Sequence, residues 1–369
     1  MSTTTPGIAG RADALLGLFD GPGIDLLLVS ELVNVRYLTG YTGSNGIALI
    51  GPDKLAFVTD FRYVEQAAAE VDQRFERFHT AGAVDLTKKL PELLGSAPLR
   101  LGFDEEHTSV GAHRRLAELL GPQVTLVPAG GLVEELRRRK DAEEIAAIAA
   151  AQQLADAAFE ALVSKPIIGR TERELALELE QDMRLRGASA PSFDSIIAGG
   201  PHGALPHASP RDVAIESGQL VVIDWGAMLD GYASDCTRTV AAGEISDRAR
   251  DAYELVLRAQ VSALDAVRPG ADCNAVDKVA RDIITAAGHG EHFGHGLGHG
   301  VGLEVHESPT LSLRVAPGAD KLAVDDIVTV EPGVYLPGEF GIRIEDLVVV
   351  TDGAPRVLTS VPKALRVVD

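Results

Sequence analysis

Cysteine is scarce in this sequence: its 369 residues carry only Cys236 and Cys273. Two thiols make no disulfide framework, so a reducing compartment is expected. Basic residues are scarce as well. There are 34 Lys and Arg against 54 Asp and Glu, a net charge of −20, which argues against nucleic acid or an anionic membrane as partner. Residues 1–10 have neither the basic nor the apolar region of a secretory leader, and no apolar run approaches transmembrane length. A soluble, cytoplasmic protein is expected, long enough for two domains that each bury a core.

What the chain does have is acid in unusual places. Leu220-Val-Val-Ile-Asp224-Trp-Gly-Ala-Met-Leu-Asp-Gly-Tyr-Ala-Ser-Asp235-Cys-Thr-Arg-Thr-Val240 reads as a hairpin about Asp230-Gly231. With the turn centred between Leu229 and Asp230, Asp224 faces Asp235. With Asp230-Gly231 as the two-residue loop, Asp235 lies diagonally from Asp224 on the same face. Ile327-Val-Thr-Val-Glu331-Pro-Gly-Val-Tyr-Leu-Pro-Gly338-Glu-Phe-Gly-Ile-Arg343-Ile-Glu345-Asp-Leu-Val-Val-Val350 repeats the device, and a pivot at Gly338 sets Glu331 opposite Glu345. A single pair of acids would be satisfied by one protonated member. Four carboxylates among apolar strands repel one another unless divalent cations lie between them.

Along the chain, residues 25–30, 46–50, 55–59, 99–103 and 124–127 read as strands and 61–71 as a helix, an α/β domain over 1–130. The glycine-rich Tyr41-Thr-Gly-Ser-Asn-Gly46 lacks the Lys and spacing of a phosphate loop and reads as an ordinary loop. In residues 131–369, the basic run Glu134-Glu-Leu-Arg-Arg-Arg-Lys140 reads as a solvated face. Capping boxes at Asp141-Ala-Glu-Glu144 and Thr171-Glu-Arg-Glu174 open helices to about 164 and 187. A strand over 193–198 and the first acid hairpin follow. Helices over about 246–268 and 274–288 and the second hairpin repeat that order, an internal duplication that brings the hairpins side by side.

Between the hairpins lies His289-Gly-Glu-His292-Phe-Gly-His295-Gly-Leu-Gly-His299-Gly-Val-Gly-Leu-Glu-Val-His306. It holds five of the chain's ten histidines. Glycine at every second position from 294 to 302 disfavours the helix that a zinc-binding His pair at this spacing would need. It suits a strand or loop closely approached by another backbone. In the first copy, Gly199-Gly-Pro-His202-Gly-Ala-Leu-Pro-His207 also carries histidine, and His202 reads as a surface residue.

Asp224, Asp235, His299, Glu331 and Glu345, in that order, resemble the five ligands of the pita-bread metallopeptidases. His295-Gly-Leu-Gly-His299-Gly-Val-Gly-Leu303 and Val330-Glu-Pro-Gly-Val-Tyr-Leu-Pro337 are similar to the Xaa-Pro branch of that family, prolidase and aminopeptidase P. Asn34-Val-Arg-Tyr-Leu-Thr-Gly-Tyr-Thr-Gly-Ser-Asn-Gly46 resembles the creatinase-type N-terminal domain of the same branch, and residues 137–145 its usual passage into the second domain. The resemblance implies an α/β fold: a creatinase-type domain followed by a pita-bread domain with pseudo-twofold duplication. It implies a dinuclear site suited to Mn²⁺, with Co²⁺, Fe²⁺ or Zn²⁺ as alternatives, with Asp235 and Glu345 shared between the ions. It implies that Glu331 shuttles a proton as well as binding metal. It further implies that His207 and His306 steady the carbonyl and oxyanion, and that His295 lines the pocket. Arg343, two residues before Glu345, falls on the same face to orient a ligand carboxylate, with Thr237 beside Asp235. The substrates implied are small peptides with proline second, dipeptides above longer ones, and relatives of this kind are usually homodimers. A creatinase-like hydrolase and a non-catalytic pita-bread interaction module are the alternatives, neither of which requires the five ligands.

Overall fold

The computed structural model describes residues 7–82 and 85–369, so residues 1–6 of the stretch read for a leader lie outside the described residues. The chain divides into two compact units, Met1–Arg137 and Arg138–Asp369, and the division falls inside helix Leu132–Arg138.

The first unit is built on one six-stranded sheet. Its order is Glu76–Thr80, Lys54–Asp60, Gly46–Gly51, Leu26–Val29, Leu99–Phe103, Val124–Pro128. Leu26–Val29 runs antiparallel to Gly46–Gly51 and parallel to Leu99–Phe103. Leu90 and Leu93 of one helix and Leu116 and Leu120 of another bury their side chains with Leu28, Leu49, Val58 and Leu101. The glycine loop closes on an aromatic ring. A Cβ at Gly43 would stand 2.1 Å from the Tyr41 hydroxyl oxygen, so Tyr41 occupies the space that a side chain there would need.

In the second unit both expected capping boxes are present. Asp141 opens Ala142–Val163 and Thr171 opens Glu172–Leu185, each with a reciprocal Glu at the third helical position. Ala142–Val163 is long and apolar enough to cross a membrane, contrary to the expectation that no run reaches that length. Its apolar face is spent on the core instead. Ala155, Ala158 and Phe159 are buried, Phe159 stacks on Trp225 at 4.2 Å, and the Trp225 Nε1–H donates to the Ala155 carbonyl at 2.9 Å.

The duplication is visible in strand order. Ile196–Gly199, Leu220–Trp225 and Cys236–Ala242 lie in that spatial order in one sheet, each antiparallel to its neighbour. Gly298–Gly300, Ile327–Val330 and Asp346–Val349 do so in the other. Helices Asp247–Ala266 and Cys273–Ala286 cover the second copy as the two capped helices cover the first. The hairpins meet edge to edge: the Glu345 amide donates to the Thr237 carbonyl at 3.1 Å, and the Arg343 amide to Thr239 Oγ1 at 3.1 Å.

The basic run is not a solvated face. Arg137 and Lys140 are 3% and 1% exposed, and Arg138 forks onto Asp320 and Asp326 at 2.7 and 3.1 Å. Acids far along the chain make burial of Arg138 and Lys140 tolerable, and Arg137 donates to the Asn34 side-chain oxygen at 2.8 Å.

Candidate metal centre

Each carboxylate candidate sits at or next to the end of a strand of an acid hairpin. Asp224 is the fifth residue of Leu220–Trp225, and Asp235 immediately precedes Cys236–Ala242. The turn settles the first hairpin's register. Asp230 and Gly231 both have positive φ, +46° and +78°, as a two-residue type I′ loop requires. Thr237 therefore faces Asp224, and Asp235 lies diagonally. In the second hairpin Val330 faces Asp346 and Gly333 faces Arg343, a register that sets Glu331 opposite Glu345. His299 is the middle residue of Gly298–Gly300, and glycine on both sides is obligatory. A Cβ on Gly298 would stand 2.0 Å from the Thr329 carbonyl oxygen, and one on Gly300 2.2 Å from that of Ser308.

These side chains converge. Ligand atoms of Asp235, His299 and Glu345 lie within 4.8 Å of one another. His299 Nε2 is 3.3 Å from Glu331 Oε1 and 3.5 Å from Asp235 Oδ2. His299 Nδ1 is 3.0 Å from the Gly300 carbonyl, an acceptor only, so Nδ1 carries a proton and Nε2 is the nitrogen that faces the carboxylates. That arrangement is satisfied by a second proton or by a cation.

The carboxylates are held one oxygen at a time. Asp224 Oδ2 accepts from Arg343 Nη2 at 2.5 Å, while its buried Oδ1 has no partner among the described residues. Glu345 Oε2 accepts from Thr237 Oγ1 at 2.7 Å, and its buried Oε1 likewise has none. Arg343 ties the pair together, donating through Nε to Thr237 Oγ1 at 2.9 Å and through Nη1 to the Tyr335 oxygen at 2.7 Å. Buried polar atoms are ordinarily paired, so two orphaned carboxylate oxygens aimed into one site mark a place for cations. Electrostatics agrees. Burial first, then the neighbouring carboxylates, push Asp235 and Glu345 well above the usual carboxylate range. Burial acts on Glu331 too, but the His299 hydrogen bond and charge outweigh it and hold Glu331 at about 2.

A cavity of about 520 Å³ opens onto the cluster, and all five candidates line it together with His207, His295 and His306. The three histidines differ in what they have left to offer. His295 is fully engaged: Nδ1 donates to the Gly296 carbonyl at 2.7 Å, and Nε2 accepts from the Tyr335 hydroxyl at 2.9 Å. His207 and His306 make no side-chain hydrogen bond among the described residues. Burial lowers the proton affinity of His306, which favours the neutral ring. His202 is not a surface residue. It bonds Glu172 through Nδ1 at 2.9 Å, and Arg211 and the Gly199 amide bond the same carboxylate, so a buried acid clamps both ends of the loop bearing His207. Arg314 carries no sequence signal, being one basic residue in a turn between Leu311 and Pro317. It lines the cavity without an ion pair among the described residues. A second triad, Asp104, His107 and Glu134, lies in the first unit. There His107 bonds Asp104 at 2.7 Å and Glu134 takes the Asn34 amide at 2.5 Å, an ordinary polar cluster with its oxygens partly spent.

The model of metallopeptidase family M24 matches residues 146–352, and that of the creatinase/prolidase N-terminal domain matches 11–139. An uncharacterized peptidase of Bacillus subtilis is 42% identical over 360 residues, 96% of this chain and 99% of its own. The structure of an Xaa-Pro dipeptidase from Bacillus anthracis superposes with a TM-score of 0.92 at 39% identity, covering 98% of this chain and 100% of that one. An X-Pro aminopeptidase from Thermotoga maritima does so with a TM-score of 0.88 at 37% identity, covering 97% and 100%. With a family model across most of the second unit and likeness along nearly the whole length, this chain belongs to metallopeptidase family M24 and carries the creatinase/prolidase N-terminal domain.

Proposed function

We propose that this chain is a dinuclear peptidase that cleaves Xaa-Pro dipeptides, with longer peptides bearing proline second as slower substrates. The observation that carries the reading is a single cavity lined by the carboxylates of Asp224, Asp235, Glu331 and Glu345, by His299, by two histidines whose rings make no hydrogen bond among the described residues, and by Arg314. Asp224, Asp235, His299, Glu331 and Glu345 would hold the ions. The orphaned oxygens of Asp224 and Glu345 support that fit. A donor set of this composition suits Mn²⁺, with Co²⁺, Fe²⁺ or Zn²⁺ as alternatives. When bound, two such ions acidify water and polarise a carbonyl.

The rest falls to the chain's own groups. Glu331, ionised in the free protein, takes the proton released by the attacking water and hands it to the departing proline nitrogen. His207 and His306 donate to the carbonyl oxygen as it gains charge. His295, with both nitrogens engaged, serves as wall and not as donor. A bond to proline has no N–H and a fixed φ, so recognition by strand pairing fails and a cavity must replace it. Phe193, Ile196, Pro206 and Pro210 supply apolar wall for a ring, and Arg314 supplies a partner for the carboxylate that a dipeptide carries beside it. The names of relatives support proline in the second position and divide between dipeptidase and aminopeptidase. Arg314 favours the dipeptide.

The test is kcat/KM for Ala-Pro, Ala-Pro-Ala and Ala-Ala with Mn²⁺. Ala-Pro is expected to lead. Faster tripeptide cleavage would make the enzyme an aminopeptidase, and a preference for Ala-Ala would defeat the proline assignment. We further propose a cytoplasmic homodimer. Light scattering at monomer mass would remove the dimer, and recovery of the protein from the culture medium would remove the location.

A further inference from the structure

Lys140 belongs to the basic run that the peptidase chemistry leaves unused, and its side chain is 1% exposed. A buried ammonium is costly unless a fixed acceptor meets it. Here Nζ lies 3.1 Å from Glu307 Oε2 and also donates to the Arg138 carbonyl at 3.1 Å. The lysine stands on a rigid base. Its own amide donates to the Asp325 carbonyl, Arg138 grips Asp320 and Asp326, and Asp141 caps the helix that follows.

On the other side of the pair, a turn is wound around the Glu307 carboxylate. Oε1 accepts the Glu304 amide at 3.0 Å, and a Cβ on Gly302 would stand 2.5 Å from Oε2. Glu307 lies opposite Gly300, next to His299, and the residue before it is His306. The His306 ring meets the His299 ring edge-on at 4.4 Å and lines the cavity. His295 and His299 are each held by an Nδ1–H bond to the carbonyl of the next glycine. No hydrogen bond holds the His306 ring among the described residues. Its aim therefore depends on the backbone beneath it, and that backbone is fixed through Glu307.

We propose that Lys140 is a positioning residue for catalysis: by clamping Glu307 it fixes the turn that aims His306 at the substrate carbonyl. The inference rests on the proposed peptidase reading for the role of His306. Lys140 touches neither substrate nor ligand and acts through Glu307 alone. Loosening the clamp leaves the five ligand side chains in place but lets His306 drift, and a drift of about 1 Å at a reacting group costs up to roughly a hundredfold in rate.

A double-mutant cycle on the full-length, Mn²⁺-loaded enzyme with Ala-Pro tests this. Lys140→Met is expected to lower kcat by roughly 10- to 100-fold, with KM and metal stoichiometry unchanged. In a His306→Ala background the same substitution is expected to change kcat by less than about twofold, because the aim it protects is gone. Equal losses in both backgrounds, or wild-type kcat in folded Lys140→Met, would overturn the proposal. Should Lys140→Met fail to fold with Glu307 deprived of its lysine, Lys140→Met/Glu307→Gln removes both charges and enters the same cycle, where equal losses or wild-type kcat count against the proposal in the same way. A direct readout separates this failure from failure of the proline reading. In Zn²⁺-loaded, histidine-labelled protein, the His306 ring resonance is expected to shift and broaden in Lys140→Met while that of His295 stays in place. An unmoved His306 resonance would overturn the clamp whatever substrate the wild type prefers.

Discussion

Removing metal should destabilise this protein, and the loss should grow as pH rises. Asp235 and Glu345 are raised well above ordinary carboxylates by burial first and then by the neighbouring carboxylates. Without cations, the folded chain keeps protons there that an unfolded chain, with carboxylate pKa values of about 4, has released. The folded state binds more protons, so metal-free stability falls as pH climbs from about 4 towards the raised values. One retained proton is worth about 1.4 kcal/mol per pH unit. For a cooperative unit the size of Arg138–Asp369, that becomes a fall of roughly 3–6 °C in Tm per pH unit. A cation takes the proton's place, and at a hundred times its Kd it adds about 2.7 kcal/mol, or roughly 5–11 °C. His299 pulls the same way. Burial opposes its charged form, yet Glu331 raises its proton affinity, so a proton must leave before Nε2 can bind metal. Glu331 runs opposite: held at about 2, its contribution is lost only as pH falls through that value, outside the window. Calorimetry of chelated and Mn²⁺-reconstituted protein between about pH 5.5 and 8 measures the gap. A gap that is absent, or that stays constant with pH, would refute the reasoning.

Three further outcomes are expected. Asp235→Ala and Glu345→Ala should lose metal and activity together, whereas His207→Ala and His306→Ala should keep metal by elemental analysis and lose kcat by roughly 10²–10³. Arg343→Met strands the buried Asp224 carboxylate and Thr237, and should cost about 3–5 kcal/mol in unfolding free energy and weaken metal binding in a Mn²⁺ titration. Arg314→Met should raise KM for Ala-Pro and leave Ala-prolinamide untouched; equal losses on both would remove Arg314 from carboxylate recognition.

The site is legible in the sequence because hairpin registers are short-range. Asp230-Gly231 and Pro337-Gly338 fix which residues oppose, and each acid's partner lies within about fifteen positions of it. Only the diagonal placement of Asp235 needs the backbone angles at Asp230 and Gly231. What the sequence does not reveal is held by distant partners. Lys140 and Arg138 look solvated until Glu307, Asp320 and Asp326 are brought to them, and His202 looks exposed until Glu172 is. In the first unit, helix Leu32–Thr39 escapes a pattern reading because Val, Tyr and Thr are weak helix formers, and tertiary burial of Val35, Tyr37 and Leu38 decides the matter. Strand Glu76–Thr80 escapes it because charged residues at the edge of the sheet carry little apolar alternation.

Charge balance bears on how many ions the centre takes. Four carboxylates bring −4, and Arg343, bonded to Asp224, brings +1, so the buried cluster carries −3 when fully ionised. One dication would leave net negative charge beside Asp235 and Glu345, which already resist ionising, and protons would have to stay to offset it. Two dications bring the sum to +1, which allows every carboxylate to ionise and favours loss of a proton from a water among them. On this balance a centre that must acidify water would work with two ions and be electrostatically hindered with one. Activity titrated against Mn²⁺ should therefore stay low through the first equivalent per chain and rise over the second. Full activity at one equivalent, measured by elemental analysis on the assayed protein, would defeat this account of the cluster.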